Sequence, residues 1–496
     1  MWMAGRRRVY QRIVKPKPAV LRVSSFYGLP STQAELEFID VDLNGDTRLF
    51  VDPHSLWYID SDWARECLSL VQDLFTEVLA ATRLGDRQRA DYLLGRLSEP
   101  NETHLGLSAA ESRGSGVGDG LARDIWAALS TSRALQGGLL ADLEDTVLFV
   151  DGIGLDRISD ITTNVIRAQL VKFTQDACQY YGIPLTPGIA SGPCWNRSDH
   201  RWYETFAELP IANGARLLLV PKSIVRQGGI FSPGEYFTHY VQTYQQADEL
   251  RRRGHLVRFR KDGTPFVTKK SLRLRDPRPS KHVNLAVTLA NPGLLDQYRE
   301  AKRRPDGPPT HEQIAAATET PVVDWDQLLG AVVAVPPGRE HADDYHRAIQ
   351  SLLTPLLYPS LDMPIREFKI HEGRKRIDIN YTNVATSGFF RWLVDFARVP
   401  ASQLVVECKN YSKELKNPEI DQLAGRFSPV RGKVGFLCHR GYNDKAELVR
   451  RCRDAALDDR GFVIPLDDTD LMALVEARKE GDDLFELLMR RFQELA

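Results

Sequence analysis

The tripeptide Glu407-Cys408-Lys409 closes an apolar run, Leu404-Val405-Val406, and puts a carboxylate and an ammonium where a core strand ends. Side chains two residues apart on a strand point to the same face, and charged groups are seldom buried unless paired or bound. The Glu-x-Lys pattern alone has little weight, because it occurs four times, at 300/302, 367/369, 407/409 and 414/416. The first lies in a polar, helix-like stretch and the last in a Lys- and Asn-rich loop. Only 367 and 407 fall on strand-like runs, and only 407 ends a fully apolar one. Upstream, Asp378 stands between Ile377 and Ile379, where an acid is disfavoured by strand propensity unless it binds something. Two carboxylates converging from neighbouring strands form a hard oxygen site suited to Mg²⁺, with Mn²⁺ as an alternative, and the Cys408 carbonyl can add another oxygen. Such a metal offsets charge developing on a phosphate and lowers the pKa of a bound water. Lys409 can orient that water or stabilise the transition state as a point charge. Gln422, in the helix expected from Pro418, can hydrogen-bond the water, the lysine or a phosphate. The plainer alternative is a Glu–Lys pair at a strand end beside a hydrogen-bonded Asp.

The elements that must hold these groups follow from periodicity. "REHADDYHRAIQSLLTPLL" reads as a helix with Tyr345, Ile349, Leu352, Leu353 and Leu356 on one stripe. Strands are expected at 367–370, 376–383, 403–409 and 434–440 and at "FVIPLD", with helices after Pro418 and Asp444 and at the end. The order α-β-β-β-α-β-α-β-α describes a small mixed sheet flanked by helices.

An acid on one strand, Glu-x-Lys on the next and a glutamine in the following helix resemble the PD-(D/E)XK nuclease superfamily. "ECKNY" with Gln422 resembles its Mrr-like restriction endonuclease branch. The resemblance covers roughly residues 338–475. It departs from the pattern in lacking Pro before the acid (Arg376-Ile377-Asp378), and the 28 residues between Asp378 and Glu407 leave room for an inserted helical turn in "TSGFFRWLVDFARVP". It implies a restriction-endonuclease-like domain that cuts DNA with Mg²⁺, with Asp378, Glu407, Lys409 and Gln422 catalytic and Asp378, Glu407 and Cys408 on the metal. It also implies a setting in restriction or anti-phage defence. A helper acid on the first helix is expected by the same resemblance: Glu340, with Asp343, Asp344 and His346 as rivals. Glu367 either reaches the metal or pairs with Lys369 or Arg376. Arg374, Lys375 and Arg376 form a basic rim suited to a DNA backbone, or a solvated turn. Cutting both strands takes two sites, so a homodimer or higher homo-oligomer is expected.

At 496 residues the chain exceeds one core, and 43% apolar with 26% charged residues describes a globular protein. Six cysteines without CxxC spacing read as reduced thiols and not a disulfide frame or zinc site, which suits a cytoplasmic protein. No apolar run approaches a membrane span. Net charge is −1, yet residues 251–281 hold twelve Lys or Arg against two Asp, and residues 1–34 add seven basic groups with no acid. Such segregation is the footprint of a phosphate-binding surface, with Arg258, Arg260, Lys269 and Lys270 as its expected contacts; a solvated basic segment is the alternative.

The expected organisation is a basic arm (1–34), a larger N-terminal α/β or α+β recognition or regulatory domain (35–305), a linker (306–337) and the nuclease-like domain (338–496). In the N-terminal part, strands are expected on both sides of Asn44-Gly45, at 146–152 and at 215–225, with a helix across 60–100 and another from near Thr162. "GSGVGDG" lacks the ending of a P-loop. Gly152-x-Gly154 after a strand would suit a dinucleotide, and Asp151, Asp156 and Asp160 a second metal. Two rival functions are a catalytically silent nucleic-acid binder, and an effector nuclease awaiting a small-molecule or phage-derived activator.

Overall fold

The computed structural model describes residues 20–107, 118–303, 307–370, 375–411, 413–441 and 444–496. Two hydrophobic cores organise them. One draws on residues from Val23 to Ile314, with Tyr358, Met363 and Val384 packed onto it; the other runs from Leu328 to Leu495. Helices and small sheets alternate through both, a mixed α/β class. The stretch 306–337, expected as a linker, carries helices at His311–Thr318 and Trp325–Ala334. Ile314 belongs to the first core, and Leu328 and Val332 to the second, so the division falls between these two helices. Among the described residues no helix is long and apolar enough to cross a membrane.

The N-terminal half departs from its expected strands. Residues 35–53 hold isolated bridges and only the short strand Phe50–Val51, because Asp40, Asp42 and Gln33 bind local backbone and divert it from a ladder. "TVLFV" is a buried helix, Asp145–Phe149; a short apolar run fits either element, and burial on all sides decided for helix. Residues 215–225 are mostly irregular, with strand at Ala215–Arg216 and at Val225, where the two-residue strand Val225–Arg226 pairs with Phe50–Val51. The helix expected from Thr162 is two, Leu155–Val165 and Arg167–Tyr181. An unexpected long ribbon pairs Thr186–Asn196 with Arg201–Leu209. Residues 1–19 of the basic arm lie outside the described residues, and the rest of it is folded: Val23 is buried and Ser24 binds Asp40. With a helix before it, Gly152-x-Gly154 loses the strand that a dinucleotide turn requires.

The second core wraps one five-stranded sheet: β1 (Leu361–Ile370), β2 (Lys375–Asn383), β3 (Gln403–Lys409), β4 (Val434–His439) and β5 (Phe462–Leu466), in spatial order β5-β4-β3-β2-β1. β1, β2 and β3 pair antiparallel; β3, β4 and β5 are parallel. Parallel strands need crossovers, supplied by α3 (Asn417–Ala424) and α4 (Lys445–Leu457); α1 (Ala342–Leu357) precedes the sheet, α2 (Gly388–Asp395) fills the long β2–β3 connection, and α5 (Asp468–Lys479) and α6 (Phe485–Gln493) close it. α1 presents Tyr345, Ile349, Leu352, Leu353 and Leu356, all fully buried, to one face; each such side chain contributes roughly 1.5–3 kcal/mol. α3 opens with Pro418 in its first turn, where the missing N–H costs nothing, and the Lys416 amide donates to Glu419 at 2.9 Å. It lies close on β4: a Cβ at Gly435 would stand 2.7 Å from the Val405 carbonyl oxygen of β3, 2.9 Å from Phe427 and 3.1 Å from Leu423, so Gly435→Ala should strain the β3–β4 pairing, displace α3 and lower Tm by several degrees, checked by thermal melt.

Candidate active site

β3 is buried along its length because parallel pairing with β4 covers one edge and helices cover its faces. Glu407 is therefore 0% exposed, and its neighbour in the ladder is Leu437. The register Ile379↔Val406 sets Asp378 across from Glu407, and Ile377↔Phe368 with Ile379↔Arg366 sets position 367 on β1 across from Asp378. Three acidic positions thus lie in one row over three strands.

Lys409 answers the buried carboxylate. Its Nζ donates to Glu407 Oε1 at 2.9 Å and to Gln422 Oε1 at 3.0 Å, and Gln422 Nε2 donates to the same Glu407 oxygen. Burial, and then the charge of Asp378, raise the Glu407 carboxyl above its ordinary value, against the pull of Lys409. For Lys409, burial works against the charged form, yet the adjacent Glu407 outweighs it and the ammonium is held above its ordinary value. The second carboxylate oxygen, Glu407 Oε2, is buried and has no hydrogen-bond partner. A buried carboxylate oxygen without a partner, beside a second acid, is an unusual arrangement that calls for a compensating group.

Asp378 Oδ2 accepts the Cys408 amide at 2.9 Å. From α1, His346 Nε2 stands 3.3 Å from the Cys408 carbonyl oxygen and 3.5 Å from Asp378 Oδ2. His346, Asp378 and the Cys408 thiol together offer three ligand atoms within 4.8 Å of one another. Burial pushes the Cys408 thiol well above its ordinary range, and the Asp378 carboxylate, the Cys408 carbonyl and the His346 nitrogen stand beside it as further donors. Asn410 Nδ2 donates to the carbonyls of Pro336 and Gly338 at 2.9 and 3.0 Å, tying the end of β3 to the approach to α1.

Asp378, Glu407, Cys408, Lys409 and Gln422 are thus brought together. Glu340 is not: it sits exposed in the turn Arg339–His341 with its carboxylate folded against Gly338. Of its rivals, His346 is the one that reaches the site, one helical turn further along α1. In the sequence it stood only as one of three rivals to Glu340, directly after Tyr345 of the buried stripe. Lys375 and Arg376 open β2, while Arg374 lies outside the described residues. In the basic segment, Arg258 and Arg260 flank Phe259, 70% exposed, at a short ribbon paired with Pro265–Phe266, and Lys270 is exposed. Lys269 turns inward and donates to the Thr238 carbonyl at 2.5 Å, and Asp248, Glu249 and Asp276 neutralise several neighbouring arginines. The proposed second metal set divides: Asp151 pairs with His282, whereas Asp160, pushed up to about 8 by burial and by Asp156, Glu99 and Asp46, belongs to a separate acidic group.

A family model described as a domain of unknown function (DUF8370) matches residues 28–231, within the first core and apart from the Asp378–Glu407–Lys409 site. No curated protein and no solved structure matches the chain.

Proposed function

We propose that the second core is a restriction-endonuclease-like domain and that the protein is a Mg²⁺-dependent endonuclease hydrolysing DNA phosphodiester bonds. The observation that carries this reading is the convergence of Asp378, Glu407, Lys409 and Gln422 at one strand end with Glu407 Oε2 buried and unpartnered. Asp378, the free oxygen of Glu407 and the Cys408 carbonyl would hold the ion, which when bound offsets phosphate charge and acidifies water. Lys409, fixed by Glu407 and Gln422, places a cation where charge builds on the attacked phosphate, with no reorganisation at the moment of reaction. Gln422 keeps that ammonium aimed. The N-terminal half would recognise target DNA or regulate cutting, and two copies of the chain would cut both strands. Cleavage of supercoiled plasmid by the wild type with Mg²⁺, absent in Asp378→Ala, tests the reading.

Protons compete with the metal for Glu407. Its carboxyl is raised, so it is protonated over a wider low-pH range than an ordinary glutamate, and metal affinity should climb as pH rises through that raised value. Calorimetric titration with Mn²⁺ at pH 5.5 and 8 checks the sign. His346→Ala should weaken the same binding by roughly 10–100-fold, the usual effect of losing a group that orients a ligand.

The ribbon with Arg258 and Arg260 is the proposed backbone contact. Reversing both to Glu should weaken DNA binding across sequences and reduce the slope of log K against log salt by about 2, measured by fluorescence anisotropy between 50 and 200 mM salt.

A further inference from the structure

The seam between the two cores is closed by polar contacts but not filled. Tyr358 Oη donates to the Pro309 carbonyl at 2.6 Å and Ser402 Oγ to Asp60 at 2.6 Å. Lys222, fully buried, sits 4.4 Å over the Tyr358 ring, and the Ser223 amide donates to Asp362 on β1. Beside these contacts two cavities of about 330 and 360 Å³ adjoin one another, sharing the β2–α2 loop Ala385-Thr386-Ser387. Each is of the size that holds a small ligand.

The first cavity takes Tyr58 and Arg303 from the N-terminal half and Arg391, Trp392, Phe396 and Phe485 from the second. Phe396 is 75% exposed there, a large apolar ring left in water. Among the charged residues lining the two cavities, Arg303 and Arg391 stand against Asp395, while Arg226 is already paired with Asp52 at 3.9 Å. Arg391 spends its Nε on Asp395 at 2.8 Å, and Arg303 reaches Glu300 on the open surface; among the described residues neither arginine has a second carboxylate partner. The amide end of α2, an eight-residue helix whose Ser387 makes no side-chain cap, opens on the same loop and adds to the positive field. Aromatic walls with guanidinium groups and uncapped amides are complementary to a planar ring carrying a phosphate.

We infer that this inter-core groove binds a nucleoside phosphate, stacking its base on the Trp392–Phe396 side and holding its phosphate with Arg391 and Arg303. The groove is formed by both cores, so an occupant fastens the N-terminal half to the β2–α2 loop, which continues the strand that carries Asp378. The binding stands apart from the hydrolytic reading; its effect on cleavage rests on that reading.

The test uses the full chain, with AMP, GMP, inorganic phosphate and a 5′-phosphorylated ten-nucleotide single strand as probes, followed by tryptophan fluorescence and calorimetry. Arg303 and Arg391 are both exposed, so Arg303→Glu and Arg391→Glu leave the core intact, which an unchanged melt verifies. A mononucleotide that binds at least ten-fold more tightly than phosphate, and is weakened ten-fold or more by Arg391→Glu, is the expected result for a free ligand. Binding confined to the single strand, with the same sensitivity to Arg391→Glu, would assign the groove to a strand end, within the same chemistry. No binding by any probe at 1 mM, or binding indifferent to both substitutions, would overturn the inference. Asp378→Ala should keep full nucleotide affinity, so loss of cleavage and loss of binding report on separate claims.

Discussion

Lys409→Met is expected to abolish cleavage and also to destabilise the fold. In activity, a preorganised cation lost from the reacting phosphate should lower the rate by roughly 100–1000-fold or more. In stability, the substitution leaves Glu407, fully buried, without its ammonium, and breaking a buried pair from one side costs about 3–5 kcal/mol. The cost depends on pH, with a defined sign. Burial and Asp378 already raise the Glu407 carboxyl, and removing Lys409 takes away the principal group opposing that rise. A carboxyl whose folded value lies above its unfolded one contributes least cost below the unfolded value, and the penalty grows as pH climbs through the folded value. Urea unfolding should therefore find Lys409→Met close to wild type at pH 5 and clearly weaker at pH 8. A loss of stability equal at both pH values would mean that Glu407 is solvated and the pair superficial.

The second large effect separates structure from chemistry. Glu407→Gln combined with Lys409→Met replaces a buried ion pair with neutral groups of similar size, a change that is often neutral or stabilising. The double variant should recover most of the stability lost by Lys409→Met alone, giving a coupling energy of about 3 kcal/mol or more in the cycle. Cleavage and metal binding should remain absent, because the oxygen donors of Glu407 and the charge of Lys409 are both gone. If the pair served only to close the strand end, this variant would be the more stable protein with its function unchanged.

The clustering of the candidate residues was legible because its signals are local. An acid within a β-branched strand and a charged pair at the end of an apolar one conflict with propensity, and such conflicts mark places where something else is bound. The helices and strands of the second half followed from periodicity, since α1 carries a clean stripe and β3 and β4 are continuous apolar runs. His346 was harder, because its role depends on how α1 settles against β3, a tertiary fact with no spacing rule. The N-terminal half misled for a different reason. Its apolar runs are short and buried over 146–150 and 217–225, where strand and helix have the same composition. The stretch around Asn44-Gly45 has hairpin chemistry, but Asp42 captures the Asn44 amide within the turn, while Asp40 and Asp42 bind the Ser24 and Leu21 amides of the preceding segment.

The central claim is that Asp378, Glu407 and Lys409 form one hydrolytic site, and its most direct test is supercoiled plasmid with Mg²⁺ in the presence of wild type, Asp378→Ala or Lys409→Ala. Nicked or linear product from the wild type alone is the predicted result. Product from both variants at the wild-type rate would contradict the account and return Glu407–Lys409 to the role of a structural ion pair.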